Sequence, residues 1–253
     1  MLPVELLVFV AFAFLAAGAV KGLTGLGLPA TSLGLMLLAI DLKQAVVIML
    51  VPLFVTNIWQ GLVGGHLGAT LKRLWALFGA GIIAIWFAVG VMVAAKTAIL
   101  TVLLGVILVS YSGFSLATPQ IHLPARSEPW LSPLAGALTG MIGGFTGSLA
   151  VPAVLYMQAL GMERRQLIQA MGIWFTLATT AFSISLGGRG ALPPELAMVS
   201  AGAVLPALAG MELGRRLRER LPELLFRKVF FGVLMALGVY IAARGIFQGL
   251  LQA

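Results

Sequence analysis

Apolar runs long enough to cross a bilayer recur along this chain, and the short segments between them collect most of its Lys and Arg residues. Ala45 to Gly65, Trp75 to Ala95 and Thr97 to Ala117 each run 21 residues without Lys, Arg, Asp or Glu. At 1.5 Å per residue, about 20 such residues cover a ~30 Å hydrocarbon core, so each run predicts a membrane helix. Three comparable runs lie near Leu167, Leu196 and Val229. A transmembrane barrel would instead show ~10-residue segments of alternating polarity. Other runs are interrupted by glycine. Val4 to Val20 and Leu28 to Ile40 flank Lys21 to Gly27, and Leu131 to Ile142 and Leu149 to Leu160, 12 residues each, flank Gly143 to Ser148. Twelve helical residues reach only ~18 Å. Such a pair is either a re-entrant hairpin or one discontinuous crossing, and the pattern leaves both open.

Composition excludes a water-soluble fold. The 253 residues are 60% hydrophobic and 9% charged, against roughly 25% charged in soluble domains. Backbone groups in lipid must be satisfied inside the protein, so the expected class is an all-α integral membrane protein. The net charge of +8 belongs mostly to the inter-run segments and reads as a determinant of topology rather than as a nucleic-acid surface. The absence of cysteine removes disulfides and thiolate chemistry. Leu2 to Val20 carries Glu5 and has no Lys or Arg ahead of it, so it reads as a retained helix rather than a signal peptide.

The interruptions belong to an internal repeat. Gly18, Gly22 and Gly25 recur as Gly136, Gly140 and Gly143 at a spacing of 118, Lys43 and Gln44 recur as Arg165 and Gln166 at 122, and Gly81 as Gly202 at 121. The expected division is a first transmembrane repeat over 1–118, a linker loop over 119–129 holding three prolines, His122, Arg126 and Glu128, and a second repeat over 130–253. Each repeat has about five helical segments. If each broken pair returns to its starting side, the halves are inverted. One face then receives Lys72, Arg73, Arg126, Arg164, Arg165, Arg215, Arg216, Arg218, Arg220, Arg227 and Lys228 against Lys43, Lys96, Arg189 and Arg244 on the other, 11 to 4, with the richer face cytoplasmic. A single crossing gives 10 to 5 and parallel halves. Inversion is preferred because it is common in transporters with broken helices.

The glycine breaks carry the strongest functional signal. A helix restarting after unwound backbone points free N–H groups and the positive end of its dipole into the membrane, an arrangement suited to an anion. The candidate substrate residues are Lys21, Gly22, Thr24, Gly25 and Gly27 in the first break and Thr139, Gly140, Gly143, Gly144, Thr146, Gly147 and Ser148 in the second. Glycines at four-residue spacing also let helices pack closely, which is the competing explanation. Lys21 would complement an anion or, alternatively, snorkel to the headgroups; at the 118 spacing its partner is Thr139. Polar residues inside apolar runs add Asn57 and Gln60, with Thr56 beside them, and Thr176 and Thr179, with Thr180 and Ser183. The amides suit a cavity; the hydroxyls equally suit bonds across helices. Trp59, Trp86 and Trp174 read as interface anchors or packing residues.

Asp41, the sole Asp, lies between runs, and no Glu is central to a full-length run, so a buried-carboxylate proton relay is poorly supported. His66 and His122 lack ligands at metal spacing, and no cofactor or metal is expected. No nucleophile and base sit together at membrane depth, so an enzyme is not expected.

The segment from Val20 to Gly27, its counterpart from Gly136 to Gly144, the downstream Pro152, the short loops before Lys43 and Arg165, and Gly214-Arg215-Arg216-Leu217 together resemble the TauE/SafE family, the sulfite exporter or toluene-sulfonate uptake permeases. The resemblance covers nearly the whole chain; Leu28 and Pro29 depart from it by following Gly27 where the family has further glycine. It implies a multi-pass cytoplasmic (inner) membrane transporter of sulfite, organosulfonates or related small organic anions, with the substrate near the two breaks, between the repeats. The expectation is a secondary transporter, with export the expected direction. An uncoupled permease or channel and a non-transporting accessory subunit are the alternatives. Its partners are then the small anion and the lipid bilayer, not nucleic acid, and a homodimer is compatible with the sequence.

Overall fold

A computed structural model describes residues 3–62, 64–117, 123–217 and 223–251. Pro119, His122, Arg218 and Arg220, and the side chain of Arg227, lie outside the described residues. The helices are α1 (Val4–Thr24), α2 (Leu28–Met36), α3 (Leu42–Leu62), α4 (Leu67–Ala94), α5 (Thr97–Ala117), α6 (Glu128–Thr146), α7 (Ala153–Ala159), α8 (Arg164–Gly187), α9 (Pro194–Gly202), α10 (Val204–Leu217) and α11 (Glu223–Leu251). Among the described residues, seven helical stretches are long and apolar enough to cross a membrane: α1, α3, α4, α5, α8, the near-continuous α9–α10, and residues 228–250 of α11. The step between α9 and α10 follows from Pro206, whose ring removes the N–H due to the carbonyl of Gly202. The three full-length runs of the first half and their later counterparts all appear as helices, and the chain is all-α.

The broken pairs differ from the expectation of two half-length pieces. α1 has 21 residues and α6 has 19, and only α2 (9 residues) and α7 (7 residues) are short. Gly22, Gly140, Gly143 and Gly144 all stay helical. Glycine lowers helix propensity by about 1 kcal/mol relative to Ala, but Gly22, Gly140 and Gly144 are contact points with neighbouring helices, and packing outweighs the propensity.

The chain forms two compact units, one from Met1–Pro52, Ala95–Thr118 and Pro193–Ala253, the other from Leu53–Ala94 and Pro119–Leu192. In the first unit α1 packs along α10. A Cβ on Gly18 or Gly22 would overlap the carbonyls of Ala207 or Met211, and one on Gly210 or Gly214 those of Leu15 or Ala19. The backbones therefore touch through small residues, as tightly packed membrane helices do. Residue numbers rise together on both helices, so they run parallel. α5 and α11 run antiparallel, since Gly105 meets Gly238 and Ala242 while Gly245 meets Ala98 and Val102. Lys43 donates to the carbonyl of Ala95 just past α4 (3.0 Å) and Arg244 to that of Leu37 just past α2, so these two cations satisfy helix C-termini. Pro52 lies inside α3 and leaves Ile48 without its helical donor. The Ser200 hydroxyl supplies one, at 2.8 Å, and accepts the Val51 N–H at 3.1 Å.

In the second unit α4 and α6 also pack in parallel through glycine, Gly136 against Leu77 and Gly140 against Gly81. α8 joins α4, with Trp174 stacked beside Phe78 at a centroid distance of 6.3 Å. Further along, Arg189 donates to the carbonyl of Trp86 and to Ser185 and lies over the Trp86 ring. The chain entering α6 pairs with the chain leaving α7, Leu123 N–H to Ala159 carbonyl at 2.9 Å. At the start of α6, Glu128 and Arg73 of α4 form a two-bond ion pair at 2.6 and 3.0 Å.

Candidate functional site

Each broken helix ends on the same four-part motif. Thr24 and Thr146 are the last helical residues. Their hydroxyls donate to the carbonyls four positions back, Val20 (2.9 Å) and Ile142 (2.7 Å), and accept the N–H two positions on, Leu26 (3.1 Å) and Ser148 (3.2 Å). The next residues, Gly25 and Gly147, take φ of 79° and 77° and close the helix by donating to Lys21 (2.7 Å) and Gly143 (2.6 Å). The left-handed conformation is why glycine follows threonine in both places.

The two motifs lie 122 residues apart, the spacing that also separates Lys43 from Arg165 and one helical turn more than the 118 of the glycine triplets. At 122, Gly18 pairs with Gly140 and Gly22 with Gly144, and their contacts agree. Gly22 faces the Met211 carbonyl and Arg215 N, and Gly144 faces the Ile85 carbonyl and Val89 N, both shifted by 126. At the shift of 126 Gly81 matches Ala207 rather than Gly202, and at 122 Lys21 matches Gly143 rather than Thr139.

In the first break, Lys21 is 3% exposed, one turn before the cap glycine. Gly22 is committed to contact with α10. Gly27, at φ 90°, is the N-cap of α2, and a Cβ there would approach Val20 (2.7 Å) and Phe230 (3.2 Å).

In the second break, Gly143, Gly144, Thr146, Gly147 and Ser148 are all buried. Gly140 and Gly144 touch α4, and Leu149 packs on Gly143. Thr139, fully buried, donates to Ala135 (2.7 Å) and accepts the N–H of Ala153, the first residue of α7 (2.7 Å). Trp174, also fully buried, donates through Nε1 to the carbonyl of Leu149 at 2.7 Å.

Several polar residues of α3 and α8 bond to carbonyls of their own helices. Thr176 donates to Gly172, Asn57 to Leu53, Thr180 to Thr176 and Thr56 to Leu53. In an apolar surrounding the carbonyl one turn back is the nearest acceptor. Thr179 pairs with Asn57 at 122; both are buried, and the Thr179 hydroxyl has no hydrogen-bond partner among the described residues. Gln60 does reach across, donating to Ile168 at 3.0 Å. Gln169 was not singled out by sequence reasoning. It is fully buried, donates to Gly61 (3.1 Å) and accepts the His66 N–H (2.9 Å), so it fixes the turn between α3 and α4 to α8. An amide inside the apolar stretch of α8 was the available signal.

Seven apolar helical stretches of spanning length among the described residues define a multi-pass membrane protein, two of whose helices end in matched left-handed caps with a buried lysine beside one of them. The chain belongs to the family described as sulfite exporter TauE/SafE, whose model matches residues 10–241. A curated relative, the probable sulfite/organosulfonate exporter TauE of Cupriavidus necator, is 27% identical over 155 residues, covering 59% of this chain and 60% of the relative. The match thus spans less than two thirds of that protein. No solved structure matches the chain.

Proposed function

We propose that this protein is a secondary transporter that exports small sulfur-containing anions, sulfite or organosulfonates, across the cytoplasmic membrane, and that its halves are repeats of inverted topology. Family membership and the name of the Cupriavidus necator relative support the substrate class. The inversion is supported by the antiparallel run of α5 and α11, the last helices of the two halves, since counterparts in parallel repeats would run the same way. It is supported also by the Leu123–Ala159 bond, which brings the chain back beside its starting point as a re-entrant hairpin requires.

The observation that carries an anionic substrate is Lys21. An ionisable side chain inside a spanning segment is costly and marks a pathway by default, and an ammonium group beside unwound backbone complements a negative ligand. Gly143 at the equivalent position forms the same cap with no charge, so the fold does not require a lysine there.

The test is efflux of labelled sulfite from proteoliposomes. Export above protein-free vesicles, reduced by excess organosulfonate, is expected; flux equal to protein-free vesicles for sulfite and sulfonates alike would refute the proposal.

A further inference from the structure

The second break is pinned from two sides. The Thr139 hydroxyl, on α6, holds the first N–H of α7, and the Trp174 indole, on α8, holds the carbonyl of Leu149 in the middle of the turn, each at 2.7 Å and each from a fully buried side chain. Between them they fix both ends of the stretch from Leu149 to Ala153. At the 122 spacing the corresponding residues of the first half are Ala17 and Pro52. Neither side chain can donate or accept a hydrogen bond. Yet the first break forms the same threonine–glycine cap, with φ within a few degrees. The two bonds are therefore not needed to end the helix; what they add is a fixed position for the unwound residues that follow.

We propose that Thr139 and Trp174 are positioning residues for transport: they touch no substrate, and they hold the Leu149–Ala153 backbone in the one geometry compatible with anion binding. This rests on the transport function proposed above. A hydroxyl whose donor and one lone pair are already taken, and an indole N–H already donated, have little left to offer a ligand directly.

The experiment is sulfite efflux from proteoliposomes with Thr139→Val, Thr139→Ser, and 3-benzothienylalanine at position 174, which keeps the bicyclic shape and lacks the N–H. Thr139→Val and the Trp174 replacement are expected to raise KM roughly three- to tenfold, the factor expected for one hydrogen bond of ordinary net worth, with Vmax nearly unchanged. Thr139→Ser keeps wild-type KM. A purely structural role would instead lower the amount of active protein and therefore Vmax. KM unchanged in both deletions, or Thr139→Ser as impaired as Thr139→Val, overturns the proposal. Backbone hydrogen exchange is the second measurement: Thr139→Val should speed exchange at residues 148–153 and leave residues 25–31 as in wild type, and unaltered exchange at 148–153 overturns the proposal even if a variant is too unstable to assay. Wild-type vesicles that move neither sulfite nor sulfonate would refute the transport function itself, and exchange would still decide whether the two side chains hold the turn.

Discussion

The Trp174 ring occupies the space that a side chain on Gly81 would need: a Cβ built there would overlap the six-membered ring and stand 3.1 Å from the Gly136 carbonyl. The glycine is thus a socket for a buried indole whose N–H is engaged on its other side. Gly79, two residues earlier on the same helix, has nothing within 4 Å of such a Cβ. Gly81→Ala should lower stability by about 1–3 kcal/mol through overpacking. Gly79→Ala should be neutral or stabilising by up to about 1 kcal/mol through helix propensity. Thermal unfolding in detergent separates them, and equal effects would show that the indole does not constrain this position.

Gly25 tests conformation without crowding. It takes φ 79°, and a Cβ at this position would have nothing within 4 Å, so a substitution meets only the left-handed backbone preference. Gly25→Ala should destabilise by about 1–2 kcal/mol. Gly25→Asn should recover part of that, because asparagine tolerates the region. Gly22→Ala, three residues earlier, should be worse than either, since its Cβ runs into the Met211 carbonyl. The measurement is again the unfolding midpoint, and an asparagine no better than alanine would argue that the strain lies elsewhere.

The membrane helices were legible because about 20 apolar residues without charge have few other uses. The threonine–glycine breaks were legible too, as places where two such patterns are interrupted. Their register was not. Glycines four apart look the same after a shift of one helical turn, so Gly18, Gly22 and Gly25 align with Gly136, Gly140 and Gly143 as readily as with Gly140, Gly144 and Gly147. Thr-Gly itself occurs twice in the second half, at Thr139-Gly140 and Thr146-Gly147, so the letters alone do not decide; the left-handed φ shared by Gly25 and Gly147 does. The helix ends were misplaced for a related reason, because a glycine that packs against another helix and a glycine that ends one carry the same letter. Bonds such as Gln60 to Ile168 and Gln169 to Gly61 join residues 108 apart, and no local periodicity encodes them.

Gln169 ties two backbone groups that have no helical partner nearby. Gln169→Leu would leave the carbonyl of Gly61 and the N–H of His66 without it, each a loss of about 1–3 kcal/mol where water cannot replace it. The expected signature is local: faster hydrogen exchange at residues 64–67 before any change in α8. Unchanged exchange there would mean the turn is held by other contacts.

Ser200 and Pro52 should be coupled. With proline at 52 the Ile48 carbonyl depends on the Ser200 hydroxyl, so Ser200→Ala should destabilise by about 1 kcal/mol. Pro52→Ala restores the N–H that the helix itself would supply, and in that background Ser200→Ala should have little effect. A double-mutant cycle in unfolding free energy measures the difference. Additive losses would show that the hydroxyl is not compensating for the proline.

Lys21 offers the most direct test of the chemistry. Lys21→Met keeps the length and apolar stem of the side chain and removes the charge, so helix content and the α1–α10 contact, which runs through Gly18 and Gly22, should persist. If the ammonium group faces the transported anion, apparent affinity for sulfite should fall about tenfold or more, equivalent to about 1.4 kcal/mol, while Lys21→Arg keeps most of it. The Gly143→Lys change cannot serve as a reciprocal control, because Leu149 already fills the space beside Gly143. Affinity is best read from the stabilisation that sulfite confers on the purified protein, which grows as RT ln(1 + [L]/Kd) and does not depend on transport direction or coupling. Lys21→Met protein stabilised by sulfite as strongly as wild type would remove this lysine from the binding site and leave it as a snorkelling residue near a helix end.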